Sequence, residues 1–259
     1  MMIGKEIRLG KLFSRRRAFI VALDHGVVMG PMRGIENVQE TVSRVIKGDP
    51  DALQMTPPTV KLVKDNFLTR NSPLLIARLD TTNVWRKHKE FAEGYHIAGY
   101  TVKDAIRYGA DAVVTYLVIG YGKDEIEGIN IANISNLRRE AEDYGIPFIV
   151  EPLMVTKENP DSVKETEVLK YVARLASELG ADVLKVDYTR NDFSEVVKVS
   201  FSPIVIRGGP KTNTEEDFLS MIRDALKAGA MGVTVGRNLW QNPEPPLLAS
   251  KISKLVHEL

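Results

Sequence analysis

The sequence predicts an α/β protein built as a (β/α)8 TIM barrel, and three observations carry that prediction. Short runs rich in Val, Ile and Ala alternate with longer amphipathic stretches, the form of a parallel sheet covered by helices. Eight such runs can be counted along the 259 residues. That length is close to the roughly 250 residues of a typical barrel. One domain spanning residues 1–259 is therefore expected, although the alternation alone would also suit an open doubly wound sheet of the same order.

In order, the first run is Phe19–Asp24. Arg15, Arg16 and Arg17 stand directly before it, so they read as a solvated loop rather than a nucleic-acid patch. Ala52–Met55, Leu74–Leu79 and Ala112–Leu117 follow. Phe148–Glu151 is the fifth, and Pro152 is expected to end it because a residue preceding proline is extended and proline lacks a donor. Val183–Asp187, Ile204–Arg207 and Gly232–Val235 complete the set. Asn159-Pro160-Asp161 and Thr212-Asn213-Thr214 supply cap-type residues before amphipathic runs that end at Gly180 and Gly229. The segments beginning at Ala105, Leu175 and Ala225 share a helix-Gly-Ala-strand shape, a weak internal repeat of αβ units. Asp80 to Tyr100, which holds Trp85, Arg86, Lys87, His88 and His96, is long for a connection and reads as a lid or subunit contact.

Hydrophobic residues make up 44% of the chain, and 35 basic side chains nearly balance 34 acidic ones. No bulk attraction to nucleic acid or to a membrane follows from a net charge of +1. The absence of cysteine excludes disulfides, thiolate catalysis and thiolate metal sites. With no leader-like or membrane-spanning stretch, a cytoplasmic location is expected.

Catalytic groups of a barrel sit at the C-terminal ends of its strands, so polar residues that end or interrupt apolar runs are the candidates. Lys185 lies between Leu184 and Val186. If those two face the helices, alternation points Lys185 into the barrel, where burial favours the free amine needed to attack a ketone. The other reading is a structural lysine paired with Asp187 or Asp24. Asp24 ends the first run and could move a proton or balance the lysine; Asp-His-Gly would equally suit a cap or turn. Glu151 closes the fifth run, either as a proton-transfer group or as part of a salt bridge at the barrel mouth.

The seventh and eighth runs are followed by Arg207-Gly208-Gly209-Pro210-Lys211 and Gly236-Arg237-Asn238. Barrels commonly hold phosphate in these two loops, where glycine lets the backbone approach an anion and Arg237 can donate a forked hydrogen bond. Either loop alone could be only a tight turn. His25, His88, His96 and His257 show no ligand spacing, so neither a metal nor a cofactor is expected.

Taken together, Leu23-Asp24-His25-Gly26, Leu184-Lys185-Val186-Asp187, Arg207-Gly208-Gly209-Pro210 and Val235-Gly236-Arg237-Asn238 resemble the DeoC/LacD-type class I aldolase superfamily. The chain is most similar to archaeal-type (DhnA-like) fructose-bisphosphate aldolases, over about Phe19 to Gln241. The resemblance implies a homo-oligomeric barrel acting on a phosphorylated sugar, with Lys185 as the Schiff-base residue and Asp24 as an acid/base group. It places the phosphate on Gly208, Gly209, Gly236 and Arg237. One position departs: the archaeal-type enzymes follow the fifth strand with a Trp-Ser-Tyr-Pro-like segment whose tyrosine transfers a proton, whereas this chain has Glu151-Pro152-Leu153-Met154. The Glu-Pro pair is similar instead to tagatose-bisphosphate and sulfofructose-phosphate aldolases, which makes Glu151 the acid/base candidate. The fourth run lacks the lysine those relatives carry, and Tyr116 and Tyr188 are candidates for the missing tyrosine. The implied activity is C–C bond cleavage or formation in a phosphorylated ketose such as fructose 1,6-bisphosphate. The alternatives are a synthase or fragment transferase on the same lysine, and a non-catalytic phosphometabolite-binding barrel.

Overall fold

The computed structural model describes residues 2–85, 96–120, 122–156 and 163–259. The strands in chain order are β1 (Ala18–Ala22), β2 (Ala52–Met55), β3 (Leu74–Arg78), β4 (Asp80–Thr82), β5 (His96–Ala98), β6 (Ala112–Ile119), β7 (Phe148–Met154), β8 (Val183–Val186), β9 (Ile204–Arg207) and β10 (Gly232–Val235). β4 and β5 form an antiparallel hairpin. The other eight close in the order β1-β2-β3-β6-β7-β8-β9-β10 and back to β1, with every pair parallel. That closure decides for the barrel over the open sheet. The helices are α1 (Ile3–Leu12), α2 (Gly26–Met29), α3 (Val38–Val45), α4 (Pro57–Val63), α5 (Val102–Arg107), α6 (Asp124–Asp143), α7 (Thr166–Glu178), α8 (Phe193–Val199), α9 (Glu215–Lys227), α10 (Arg237–Trp240) and α11 (Pro245–Glu258).

Alternation sorts each strand into two faces. Val21, Leu53, Leu75, Val113, Val150, Leu184, Ile206 and Val233 turn outward into the core shared with the helices. Ala18, Ile20, Ala52, Ile76, Ala112, Val114, Ile149, Val183 and Val205 turn inward and fill the lower barrel, which Leu12 of α1 plugs from below. Leu184 and Val186 do face the helices, so Lys185 points inward as alternation requires.

The αβ repeat has a physical basis. After α5, α7 and α9 the amides of Ala110, Ala181 and Ala230 return to the carbonyls of Ala105, Ala176 and Ala225. The intervening Gly109, Gly180 and Gly229 have φ of 83°, 91° and 107°, as a left-handed helix stop requires. The aspartate that follows two of these turns sets register: Asp111 accepts from the Leu75 amide at 2.9 Å and Asp182 from the Phe148 amide at 2.8 Å.

Two expectations change. Pro152 does not end the fifth barrel strand, because β7 stays paired to β6 as far as Ile119 and Met154. On its other side the β7–β8 ladder involves only Ile149 and Val150, so an absent proline N–H breaks no ladder bond there. The stretch from Asp80 to Tyr100 contains the β4–β5 hairpin, whose His96 is buried; Arg86, Lys87 and His88 lie outside the described residues, as do Asn159, Pro160 and Asp161. Among the described residues no helix is long and apolar enough to cross a membrane.

Candidate active site

On five of the eight barrel strands a polar residue comes two positions beyond an inward apolar side chain of the floor. Gln54 follows Ala52, Arg78 follows Ile76, Glu151 follows Ile149, Lys185 follows Val183 and Arg207 follows Val205. Period 2 thus stacks a charged layer directly on an apolar one. Asp24 joins it from the turn after β1, and Tyr116 from β6.

The charged groups converge on one carboxylate. Oε2 of Glu151 accepts from Lys185 Nζ at 2.9 Å and also from Arg78 Nη2, while Oε1 forms an ion pair with Arg207 Nε at 2.9 Å. Arg207 continues to Asp187 at 2.7 Å. Arg78 Nε donates to Asp24 Oδ2 at 2.8 Å, its Nη1 to Asp80 Oδ1 at 3.2 Å, and its plane lies 3.7 Å from the Tyr116 ring centroid. Gln54 donates to the same Asp24 oxygen and accepts weakly from Lys185 Nζ at 3.4 Å. The Lys185 side chain is only 7% exposed and that of Glu151 3%.

Burial sets the electrostatics. It pushes the Lys185 ammonium below the usual lysine range; Glu151 and Asp24 pull the other way, and Arg78 and Arg207 add to the lowering. Burial alone would raise Glu151, yet Lys185, Arg78 and Arg207 hold its carboxyl below the ordinary range. Asp24 is likewise opposed by burial and held far lower by Arg78 and Lys185. Both carboxylates therefore rest ionised beside a lysine biased toward free amine. Burial also brings His25 down to about 4, so its imidazole is neutral near neutral pH.

Asp24, His25, Tyr116, Glu151, Lys185 and Arg207 line one cleft, together with both glycine loops. Gly208, Gly209, Gly236 and Arg237 all border it. The Gly208 amide is engaged with the Thr234 carbonyl at 2.8 Å, so it supports the β9–β10 ladder rather than facing the cleft. Asn238 ties the loops together, donating to the carbonyls of Gly208 and Pro210 at 2.9 Å and accepting from the Thr212 amide at 2.9 Å. Gly236 has a steric reason to be glycine: an added Cβ would lie 2.5 Å from His25 Cε1.

Lys185, Asp24, Glu151, Gly208, Gly209, Gly236 and Arg237 are thus brought to one cleft. The alternative partner Asp187 binds Arg207, not Lys185, and Asp24 uses its side chain on Arg78 and Gln54 rather than as a helix cap. Tyr116 borders the cleft, whereas Tyr188 turns to Phe193, with ring centroids 5.2 Å apart, and is not among the lining residues. Arg78 was not anticipated. Its signal was available, since a charged residue between Ala77 and Leu79 at the end of an apolar run is the pattern that marks Lys185.

A family model described as DeoC/LacD family aldolase matches residues 18–242. The chain is 67% identical over 260 residues to an uncharacterized aldolase of Saccharolobus solfataricus, covering 99% of this chain and 96% of that one. It is 33% identical over 256 residues to 2-amino-3,7-dideoxy-D-threo-hept-6-ulosonate synthase 1 of Archaeoglobus fulgidus, covering 99% and 92% of the two chains. Among solved structures, an archaeal fructose-1,6-bisphosphate aldolase with its catalytic lysine bound to the carbinolamine intermediate of the substrate superimposes with a TM-score of 0.83. The identity is 30%, and the match covers 98% of this chain and 99% of that one.

Proposed function

Because the chain belongs to the DeoC/LacD family of aldolases, we propose that it makes or breaks a C–C bond in a phosphorylated ketose through a Schiff base on Lys185. The observation that carries this reading is the buried amine of Lys185, 2.9 Å from an ionised Glu151 and bordering the same cleft as the two glycine loops. Support also comes from the solved archaeal relative, whose catalytic lysine is held as a carbinolamine.

In this mechanism the phosphate enters between Gly209 and Arg237, which brings the ketone carbon to Lys185. Lys185 first passes a proton to Glu151; the free amine then adds to the carbonyl, and a proton from the adding nitrogen moves to the carbonyl oxygen, which becomes a hydroxyl. Glu151 then returns a proton so that the hydroxyl leaves as water and an iminium remains. Loss of the C4 hydroxyl proton to a carboxylate breaks C3–C4; its electrons enter the iminium to give an enamine, and the aldehyde departs. Protonation of the enamine and hydrolysis release the second product. Glu151 suits the proton-transfer role because it touches Lys185 directly. Asp24, held far below the usual carboxylate range by Arg78, suits orientation of a substrate hydroxyl.

The relative named as a synthase favours a second reading, in which the same lysine passes a fragment to another acceptor. Cleavage of fructose 1,6-bisphosphate followed by a coupled triose-phosphate assay tests the first: wild-type turnover abolished in Lys185→Met supports it. Turnover that survives in Lys185→Met refutes it, and turnover appearing only with an added acceptor assigns the second reading.

A further inference from the structure

Among the described residues Arg78 is the most enclosed cation. Its side chain is 0% exposed, it does not border the cleft, and substrate cannot touch it. It nevertheless meets three carboxylates from three elements: Asp24 after β1, Asp80 of β4 and Glu151 of β7. β6, which lies between β3 and β7, contributes the Tyr116 ring beneath the guanidinium and no cation. Arg78 is itself anchored, because Asp80 accepts in turn from His96, Thr115 and the Tyr116 amide.

The shared oxygen is the telling detail. Lys185 Nζ and Arg78 Nη2 both donate to Oε2 of Glu151. Lys185 must change charge during Schiff-base chemistry, whereas an arginine stays protonated throughout. Without Arg78, Glu151 and Asp24 would lack the guanidinium they share whenever Lys185 became neutral. The titratable and charged groups that act on Lys185 or share its cleft are Glu151, Asp24, His25, Asp187, Tyr116, Arg78, Arg207, Arg237 and Lys164, with Gln54 as a neutral contact.

We propose that Arg78 is a positioning residue of this site: anchored by Asp80, it fixes the carboxylates of Asp24 and Glu151 about Lys185 and keeps Glu151 from pairing with the lysine alone. The proposal rests on the Schiff-base reading, but it can be tested on the free amine. Wild type, Arg78→Gln, Arg78→Lys and Asp80→Asn would be acetylated with trace acetic anhydride across pH, and the Lys185 peptide quantified by mass spectrometry. Thermal melts and steady-state kinetics on fructose 1,6-bisphosphate would accompany the labelling.

The expected result is a Lys185 labelling midpoint moved to higher pH in R78Q and by less in R78K and D80N. A fall in kcat of about 10- to 100-fold, exceeding any change in KM, should go with it, as misplaced catalytic groups produce. A merely structural arginine would lower the melting temperature and leave midpoint and kcat where they were. A folded R78Q with unmoved midpoint and kcat overturns the proposal; if R78Q does not fold, unmoved values in both R78K and D80N overturn it. Absence of any borohydride-trapped adduct at Lys185 in wild type would instead sink the Schiff-base reading, while a shifted midpoint would still uphold the placement of Arg78.

Discussion

Replacing Glu151 by glutamine separates bond formation at Lys185 from the proton transfers that follow. Glu151→Gln keeps the shape of a side chain that meets Lys185, at 2.9 Å, and Arg78 through Oε2 and Arg207, at 2.9 Å, through Oε1. It removes the buried negative charge and the acid/base capacity. Glu151 is the foremost group raising Lys185 against the effect of burial, so its loss lets the amine become neutral at lower pH. The amine stays competent to attack, but the iminium needs the proton that Glu151 returns, so the trapped adduct should form more slowly, with its pH profile moved in the acid direction. Turnover should fall by about 100- to 10,000-fold, the worth of a positioned general acid/base. Breaking a buried pair costs about 3–5 kcal/mol; glutamine still accepts hydrogen bonds, so a loss below that range is expected in denaturant unfolding. The assay pairs borohydride trapping by mass spectrometry with cleavage kinetics on one protein preparation. Near-wild-type turnover in E151Q would refute the assignment, as would adduct trapping at the wild-type rate.

Three further outcomes follow from the same geometry. Gly236→Ala would set a Cβ 2.5 Å from His25 Cε1 and 2.9 Å from Nε2, so thermal melting should show a loss of about 1–3 kcal/mol, as overpacking produces. His25 is lowered to about 4 from an ordinary 6.5; a depressed histidine leaves the unfolded chain binding the proton first, so stability should fall as pH drops from 6.5 to 4, by up to about 3 kcal/mol. Denaturant unfolding across pH checks this, because His25→Gln should lose that component while the wild type keeps it. Leu12→Ala removes the plug beneath the apolar floor, 2% exposed; it should cost about 2–5 kcal/mol in unfolding and leave kcat unchanged.

What could be read in advance follows the range of the interactions involved. Period 2 settles which side of a strand a residue takes, and for that reason Lys185 was legible from Leu184 and Val186. Helix stops at Gly109, Gly180 and Gly229 were legible because a left-handed turn is a local demand met by glycine. The family match over residues 18–242 agrees with the likeness seen from about Phe19 to Gln241. Pro152 misled because its local tendency to end a strand met no ladder on the β8 side, a fact about neighbours far along the chain. Glu151 was legible as one end of a barrel-mouth salt bridge, but that its cation is Lys185 follows from the adjacency of β7 and β8. Arg78 escaped for the same reason: its pattern is local, but its meaning comes from three carboxylates that only ring closure brings together. The Gly208 amide shows the converse, a glycine readable as an anion donor that the β9–β10 ladder claims.

Borohydride reduction in the presence of fructose 1,6-bisphosphate, followed by peptide mapping, tests the central claim most directly. The account predicts one substrate-dependent adduct, on Lys185, absent from Lys185→Met and formed by wild type at a lower pH than an exposed lysine would allow. An adduct on any other lysine, or cleavage of substrate with no adduct trapped, would contradict it.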